Sequence, residues 1–191
     1  MNKEDKIALF AKEINAIKDD DLKKLATAII FNADDYFFTI PASSSGKYHP
    51  PFSLGEGGLV RHTKCVVYMA RCIAESFNFS SYDIDAITVA AIAHDIKKQG
   101  LQQTGHTVHE HPILAAYYVM NIWEKLRFNI PFETIYGITT AIQCHMGKWG
   151  NLPEFIGENK PLPMPITNFD KVLQAADYLA SRKTLLEFNF E

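Results

Sequence analysis

Seven histidines stand in this sequence, three of them within Gly105-His106-Thr107-Val108-His109-Glu110-His111. Imidazole changes charge near neutral pH and is the commonest protein ligand for metals, so the setting of each histidine matters. His62 precedes Val66 and Met69 by four and seven residues, and His94 follows Ile87 and Ala90 by seven and four. His145 stands in the same relation to Ile138 and Ala141, while Asp177 follows Leu173 by four and precedes Ala180 by three. At these spacings each polar side chain falls on the apolar stripe of a helix and is directed inward. A buried ionised carboxylate costs several kcal/mol unless it is paired. No Lys or Arg lies in Leu173-Gln174-Ala175-Ala176-Asp177-Tyr178-Leu179-Ala180.

Taken singly, each residue has an ordinary explanation: a hydrogen-bonded core histidine, or an Asp177 that caps a helix or pairs with Arg182. Recurrence on four helices asks for a common cause, and a bound metal ion would satisfy the groups together. His94 and Asp95 are adjacent, about 100° apart on a helix, and such neighbours can share an ion only where the helix ends. Nitrogen and carboxylate donors without thiolate favour Mn²⁺, Fe²⁺, Co²⁺, Ni²⁺ or Zn²⁺ over a structural cysteine-zinc site.

The elements that must carry these residues read as helices, because apolar residues recur at three and four throughout and Val/Ile/Thr alternation is nearly absent. A first helix over about 4–18 puts Ile7, Phe10, Ile14 and Ile17 on one stripe, and Asp19-Asp20-Asp21 opens a second carrying Leu22, Leu25 and Ile29. The stretch 39–58 is rich in Pro, Ser and Gly and reads as a loop too long for a simple connector. Helices follow over about 59–77 and 83–96, then one starting at Pro112 and one starting at Pro131, which suit a first turn. A second Gly/Pro-rich loop covers 147–165, and Thr167-Asn168-Phe169-Asp170 caps a last helix through about residue 186.

Composition narrows the class. At 191 residues, 47% hydrophobic and 21% charged, the chain is a folded domain rather than a disordered or collagen-like one. No apolar run reaches the roughly 18 residues of a bilayer span, since 86–93 is closed by His94 and Asp95. Met1-Asn2-Lys3-Glu4-Asp5-Lys6 has no signal-peptide core, so the expectation is a cytoplasmic protein without membrane association. The formal net charge of −3 provides no general field for duplex nucleic acid. Cys65, Cys72 and Cys144 are odd in number and form no C-x-x-C pair, which reads as reduced, buried thiols. A Cys144-His145 nucleophilic pair is set aside, because adjacent helical residues diverge and no third group orients them.

The order His62, His94-Asp95, His111, His145, Asp177 resembles the ligand set of the HD-domain superfamily of metal-dependent phosphohydrolases. Gly57-Gly58-Leu59-Val60-Arg61-His62-Thr63 is similar to its first-histidine segment and Ala93-His94-Asp95-Ile96-Lys97-Lys98 to its signature H-D-I-G-K. His111-Pro112 is similar to the histidine that starts the next helix, and Ala175-Ala176-Asp177-Tyr178-Leu179 to the closing aspartate helix. With the first and last stretches, His145-Met146-Gly147-Lys148-Trp149-Gly150 looks most like the HD domains of bacterial 3′-5′ exoribonuclease-type proteins. The resemblance covers about residues 57–182. Lys97 stands where the family usually has glycine, and His145 is single where relatives often have two adjacent histidines.

The resemblance implies an all-α fold: an HD helical bundle over 57–191 after a short helical extension and loop, 1–56. It implies that His62, His94, Asp95 and Asp177 hold one metal and that Asp95 bridges to a second held by His111 and His145. One or two divalent ions are expected, Mn, Fe, Co, Ni or Zn, with Mg also admissible. Water activated by the ions would attack phosphorus. Asp95 and Lys98 are then the catalytic residues, Lys98 also contacting a phosphate oxygen, with Arg61, Lys148 and His49 as further substrate-binding candidates and Lys97 a weaker one.

His109 is an alternative to His111, which is favoured because it directly precedes Pro112. His106 is a candidate partner for a ligand's other nitrogen, Glu110 a candidate general acid, and Trp149 and Tyr48 candidates for stacking on a base. The exoribonuclease-type proteins carry a small β-barrel ahead of the HD domain, which the helical region here does not provide. The expected substrate is therefore a nucleotide, a short single-stranded oligonucleotide or a related phosphate ester. A di-iron oxygenase on the same ligands and a nucleotide-binding domain without catalysis are the competing readings. The first helix pair is expected to serve as a homodimer surface or as a lid.

Overall fold

The computed structural model describes residues 1–43, 46 and 49–183. Among them there are nine α-helices and no strand: α1 (Lys3–Leu9), α2 (Ala11–Asn15), α3 (Asp20–Phe31), α4 (Gly58–Ser76), α5 (Ser81–Ala93), α6 (His111–Leu126), α7 (Phe132–Cys144), α8 (Pro153–Ile156) and α9 (Asn168–Ala180). Short 3₁₀ turns occupy Asp35–Phe38, Pro51–Ser53 and Gly147–Asn151. The chain is all-helical, as its periodicity predicts, and no helix among the described residues is long and apolar enough to cross a membrane.

The bundle is organised around α5. Every residue from Asp85 to Ala93 is buried, because α3, α4, α6, α7 and α9 all pack against this one helix. The sequence suggests a single apolar stripe on α5, whereas the helix is covered on all sides, which is why its run 86–93 has no polar face. Its N-terminus is capped by Ser80, whose side chain accepts from the Asp83 N–H at 3.1 Å. Its C-terminus delivers His94 and Asp95 into the middle of the molecule. The last helix begins as its sequence implies, with a capping box in which Thr167 and Asp170 each accept the other's backbone N–H. It ends sooner than expected: α9 stops at Ala180 with Ser181 as C-cap, and the last part of the expected helix, 184–186, lies outside the described residues.

The expected first helix is broken at Phe10, with backbone angles of −107° and 14° between α1 and α2. The break lets Phe10 bury completely and stack on Phe37, with ring centroids 6.0 Å apart. A long-range aromatic contact thus overrides local helix continuation. These first helices share one hydrophobic core with the rest of the bundle, and polar ties fasten them to it. Asp85 accepts the backbone N–H groups of Lys18 and Asp19 at 2.8 and 2.9 Å, and the Tyr118 hydroxyl donates to the Ile29 carbonyl at 2.8 Å. Tyr36 donates to the Ile96 carbonyl and accepts the Gln99 N–H, both at 3.3 Å, and so holds the turn that follows Asp95.

The loop before α4 reaches the helix start through glycine. Gly57, the N-cap, has φ of +68°, and a Cβ added at Gly58 would sit 2.3 Å from the Ser53 carbonyl oxygen. Gly58→Ala is expected to lower stability by roughly 1–3 kcal/mol through backbone overpacking. The urea midpoint of unfolding checks this; an unchanged midpoint would show that the loop moves aside freely.

Candidate metal centre

All six residues of the inferred ligand set sit at or near a helix end, His62 in the second turn of α4. His94 is the C-cap of α5 and His145 that of α7, while His111 is the first residue of α6 with Glu110 as its N-cap. Pro112 is thus the second helical residue rather than the first. Asp177 lies in the last turn of α9. His62, His94, Asp95, His111 and His145 have side chains no more than 1% exposed, and Asp177 has 18%.

Three of the imidazoles are oriented by one device. Nδ1 of His94, His111 and His145 lies 2.8, 2.7 and 2.8 Å from the carbonyl oxygen three residues earlier, on Ala91, Val108 and Ile142. A carbonyl only accepts, so each Nδ1 carries the proton and donates it, leaving an Nε2 lone pair aimed at the centre. These lone pairs meet other acceptors. Nε2 of His111 and of His145 are 3.4 Å apart and lie 3.1 and 3.7 Å from Asp95 Oδ1. On the other side of the same carboxylate, Oδ2 lies 3.5 Å from His94 Nε2 and 3.9 Å from His62 Nε2. Asp177 Oδ1 lies 3.1 Å from His62 Nε2 and 3.8 Å from His94 Nε2. His94 Nε2 and Asp95 Oδ1 are buried without a hydrogen-bond partner.

Buried acceptors facing one another repel unless a cation or proton lies between them. The donor atoms fall into two overlapping groups compatible with a metal ion, His62 with His94 and Asp177, and His94 with Asp95 and His145. The fit is that of borderline transition ions to nitrogen and carboxylate oxygen.

Electrostatics follow from burial and from the two carboxylates. Burial pushes His145 down to about 3, helped by the neighbouring His94, and likewise lowers His62 against the pull of Asp177. In His94, burial is outweighed by Asp95 and Asp177, which raise it. Burial opposes ionisation of both carboxyls. Lys98 and His94 nevertheless hold Asp95 well below the carboxylate range, and the His62 hydrogen bond does the same for Asp177.

The other candidates divide. Lys98 donates directly to Asp95 Oδ2 and lines a small cleft with Gln99, His106 and Thr107. His49 comes in from the long loop, its ring centroid 5.5 Å from that of His62, and its Nδ1 is buried without a partner. Burial lowers it to about 3, so it is neutral at pH 7. Arg61 is held elsewhere: its guanidinium donates to the carbonyls of Phe52, Leu54 and Glu56, fastening the loop that ends at α4. Lys97 turns away into the N-terminal packing, where it pairs with Asp34 at 2.7 Å and lies over the Tyr118 ring.

His109 donates to or accepts from no member of the cluster; its Nε2 meets the Gly150 carbonyl at 2.9 Å. His106 and Glu110 are exposed, and Tyr48 lies outside the described residues. Cys65, Cys72 and Cys144 are free thiols, Cys65 and Cys144 buried. Lys148 is exposed, beside a cleft it shares with Trp149, Lys171, Gln174 and Tyr178. Of these, Lys171, Gln174 and Tyr178 carried no sequence signal except their spacing of three and four along α9, one step around the helix from Asp177.

A family model described as the HD domain matches residues 59–182, well over half of the chain. No curated protein and no solved structure matches it.

Proposed function

The chain belongs to the HD-domain family, and from that premise we propose that it is a metal-dependent phosphohydrolase acting on a nucleotide, a short oligonucleotide or a related phosphate ester. The observation that carries this reading is the convergence of His111 Nε2, His145 Nε2 and Asp95 Oδ1 within 3.1–3.7 Å of one another at the buried centre. His62, His94, Asp95 and Asp177 would hold one ion, and His111, His145 and the other oxygen of Asp95 a second. Ions bound there would supply Lewis acidity and a water acidified for attack on phosphorus.

The chain's own groups divide the remaining work. Asp95 presents one oxygen to each side and keeps both halves in register. The Lys98 ammonium, already beside Asp95, places a positive charge where a phosphoryl oxygen would arrive. Neutral His49 offers a hydrogen bond from the loop side, near His62. Arg61 positions that loop rather than touching substrate. A finer kinship with 3′-5′ exoribonuclease-type HD domains is part of this proposal and rests on the resemblance of the stretches 57–63, 145–150 and 175–179.

The test is phosphate release from an aryl phosphodiester and a nucleotide panel by protein stripped of metal and reloaded with Mn²⁺. Release that requires the metal is expected. Tight metal binding with no release from any substrate would overturn the reading, and oxygen uptake by the iron-loaded protein would replace it with the oxygenase alternative.

A further inference from the structure

We propose that the cleft between the Gly147–Asn151 turn and α9 is a nucleobase subsite, which makes the phosphate ester brought to the cluster that of a nucleotide; this rests on the phosphohydrolase reading above. The cleft has a volume of about 430 Å³ and is lined by Gly147, Lys148, Trp149, Lys171, Gln174 and Tyr178, with Met164 and Pro165 on its apolar side. That is within the range of small-molecule sites. Trp149 and Tyr178 are each 36% exposed and stack nearly parallel, with an interplanar angle of 9° and centroids 6.0 Å apart. Such a pair presents a flat π surface that a planar base extends.

Cations frame the rings. Lys148 Nζ lies 5.0 Å from the Trp149 centroid, and the Arg182 guanidinium carbon lies 4.0 Å from that of Tyr178. Lys148 and Lys171 line the cleft and give it a positive rim, its lining contains no carboxylate, and Arg182 lies over one side of the ring pair. The ligand is therefore aromatic and anionic, and Gln174 adds an amide able to both donate to and accept from a base edge.

Two of the segments that build the cleft also carry members of the cluster, His145 and Asp177. Gly147 and Lys148 follow His145 by two and three residues. Lys171, Gln174 and Tyr178 run along α9 beside the stripe Asp170, Leu173, Asp177. Gly147, with φ of +52°, packs so closely on Gln174 that a Cβ there would come within 3.1 Å of it. Asp177 is also the one cluster member with appreciable exposure, so the cluster meets solvent on the α9 side. A base on Trp149 and Tyr178 would thus be held next to the accessible edge of the cluster.

Calorimetric titration of the full chain, stripped of metal, with adenosine 5′-monophosphate and with ribose 5-phosphate tests this directly. The nucleotide is expected to bind roughly 5- to 100-fold more tightly, the contribution of stacking one base. Trp149→Leu should erase that preference while leaving ribose 5-phosphate binding unchanged, and Trp149→Phe should restore most of it. Equal binding of the two ligands by the unmodified chain, or a preference that survives in a folded Trp149→Leu protein, would overturn the proposal. A base preference in a chain that releases no phosphate when loaded with metal would support the subsite and reject the phosphohydrolase reading. Release without base preference would do the reverse.

Discussion

Asp95→Asn is expected to lower metal-dependent phosphate release by on the order of 10³-fold, the largest loss among the single substitutions in the cluster. The amide keeps the size of the side chain but removes the charge, and its nitrogen cannot serve as a donor atom on one of the two sides. Both halves of the centre depend on this carboxylate, since Oδ1 faces His111 and His145 while Oδ2 faces His62 and His94. Metal analysis of the purified variant should show fewer ions per chain than the unmodified protein. His111→Gln, by contrast, removes a donor from one half alone, and its deficit in bound metal should be the smaller. If Asp95→Asn retains full metal content and full turnover, the carboxylate does not bridge.

The metal-free chain is expected to lose stability as pH falls from 7.5 to 5. His145 is held at about 3 in the fold, against about 6.5 for an unfolded histidine. The unfolded chain therefore takes up a proton that the folded chain refuses. Stability is full above pH 6.5 and declines below it, until the folded pKa is reached near 3. For His145 alone the loss by pH 5 is about 2 kcal/mol. His49, also at about 3, and His62 act in the same direction. His94 acts in the opposite one, because its folded pKa is raised. Three groups against one leave a net fall with acidification, read as a lower melting temperature in chelator at pH 5 than at pH 7.5. A melting temperature that rises on acidification would contradict the direction assigned to these imidazoles.

Much of the site could be read from helical periodicity. His62, His94, His145 and Asp177 stand out because a polar residue at the spacing of apolar ones has no ordinary reason to point inward, and the fold brings all four together. Periodicity does not reach residues placed by loops. His109 and His111 both shortly precede Pro112, and what separates them is the loop backbone: the Val108 N–H donates to the Lys98 carbonyl at 3.0 Å, and the Val108 carbonyl accepts from the His111 ring. Nor does a motif say where a long cation ends. Arg61 and Lys97 lie within stretches similar to the family's, yet one closes a loop and the other reaches 2.7 Å from Asp34, a partner 63 residues away. The break at Phe10 belongs to the same class, since it is caused by a ring in another element.

The clamp of three Nδ1 atoms on their own turns has a kinetic side. A ring that donates to the carbonyl three residues back has surrendered its rotamer freedom during folding, so little side-chain ordering remains to oppose association with an ion. Capture should then be limited by how fast an ion sheds its hydration shell, and release by breaking bonds rather than by rings swinging away. Donors fixed in this way cannot shrink or widen their spacing to suit a visitor, and ions of unsuitable radius meet the same rigid frame and are held less firmly.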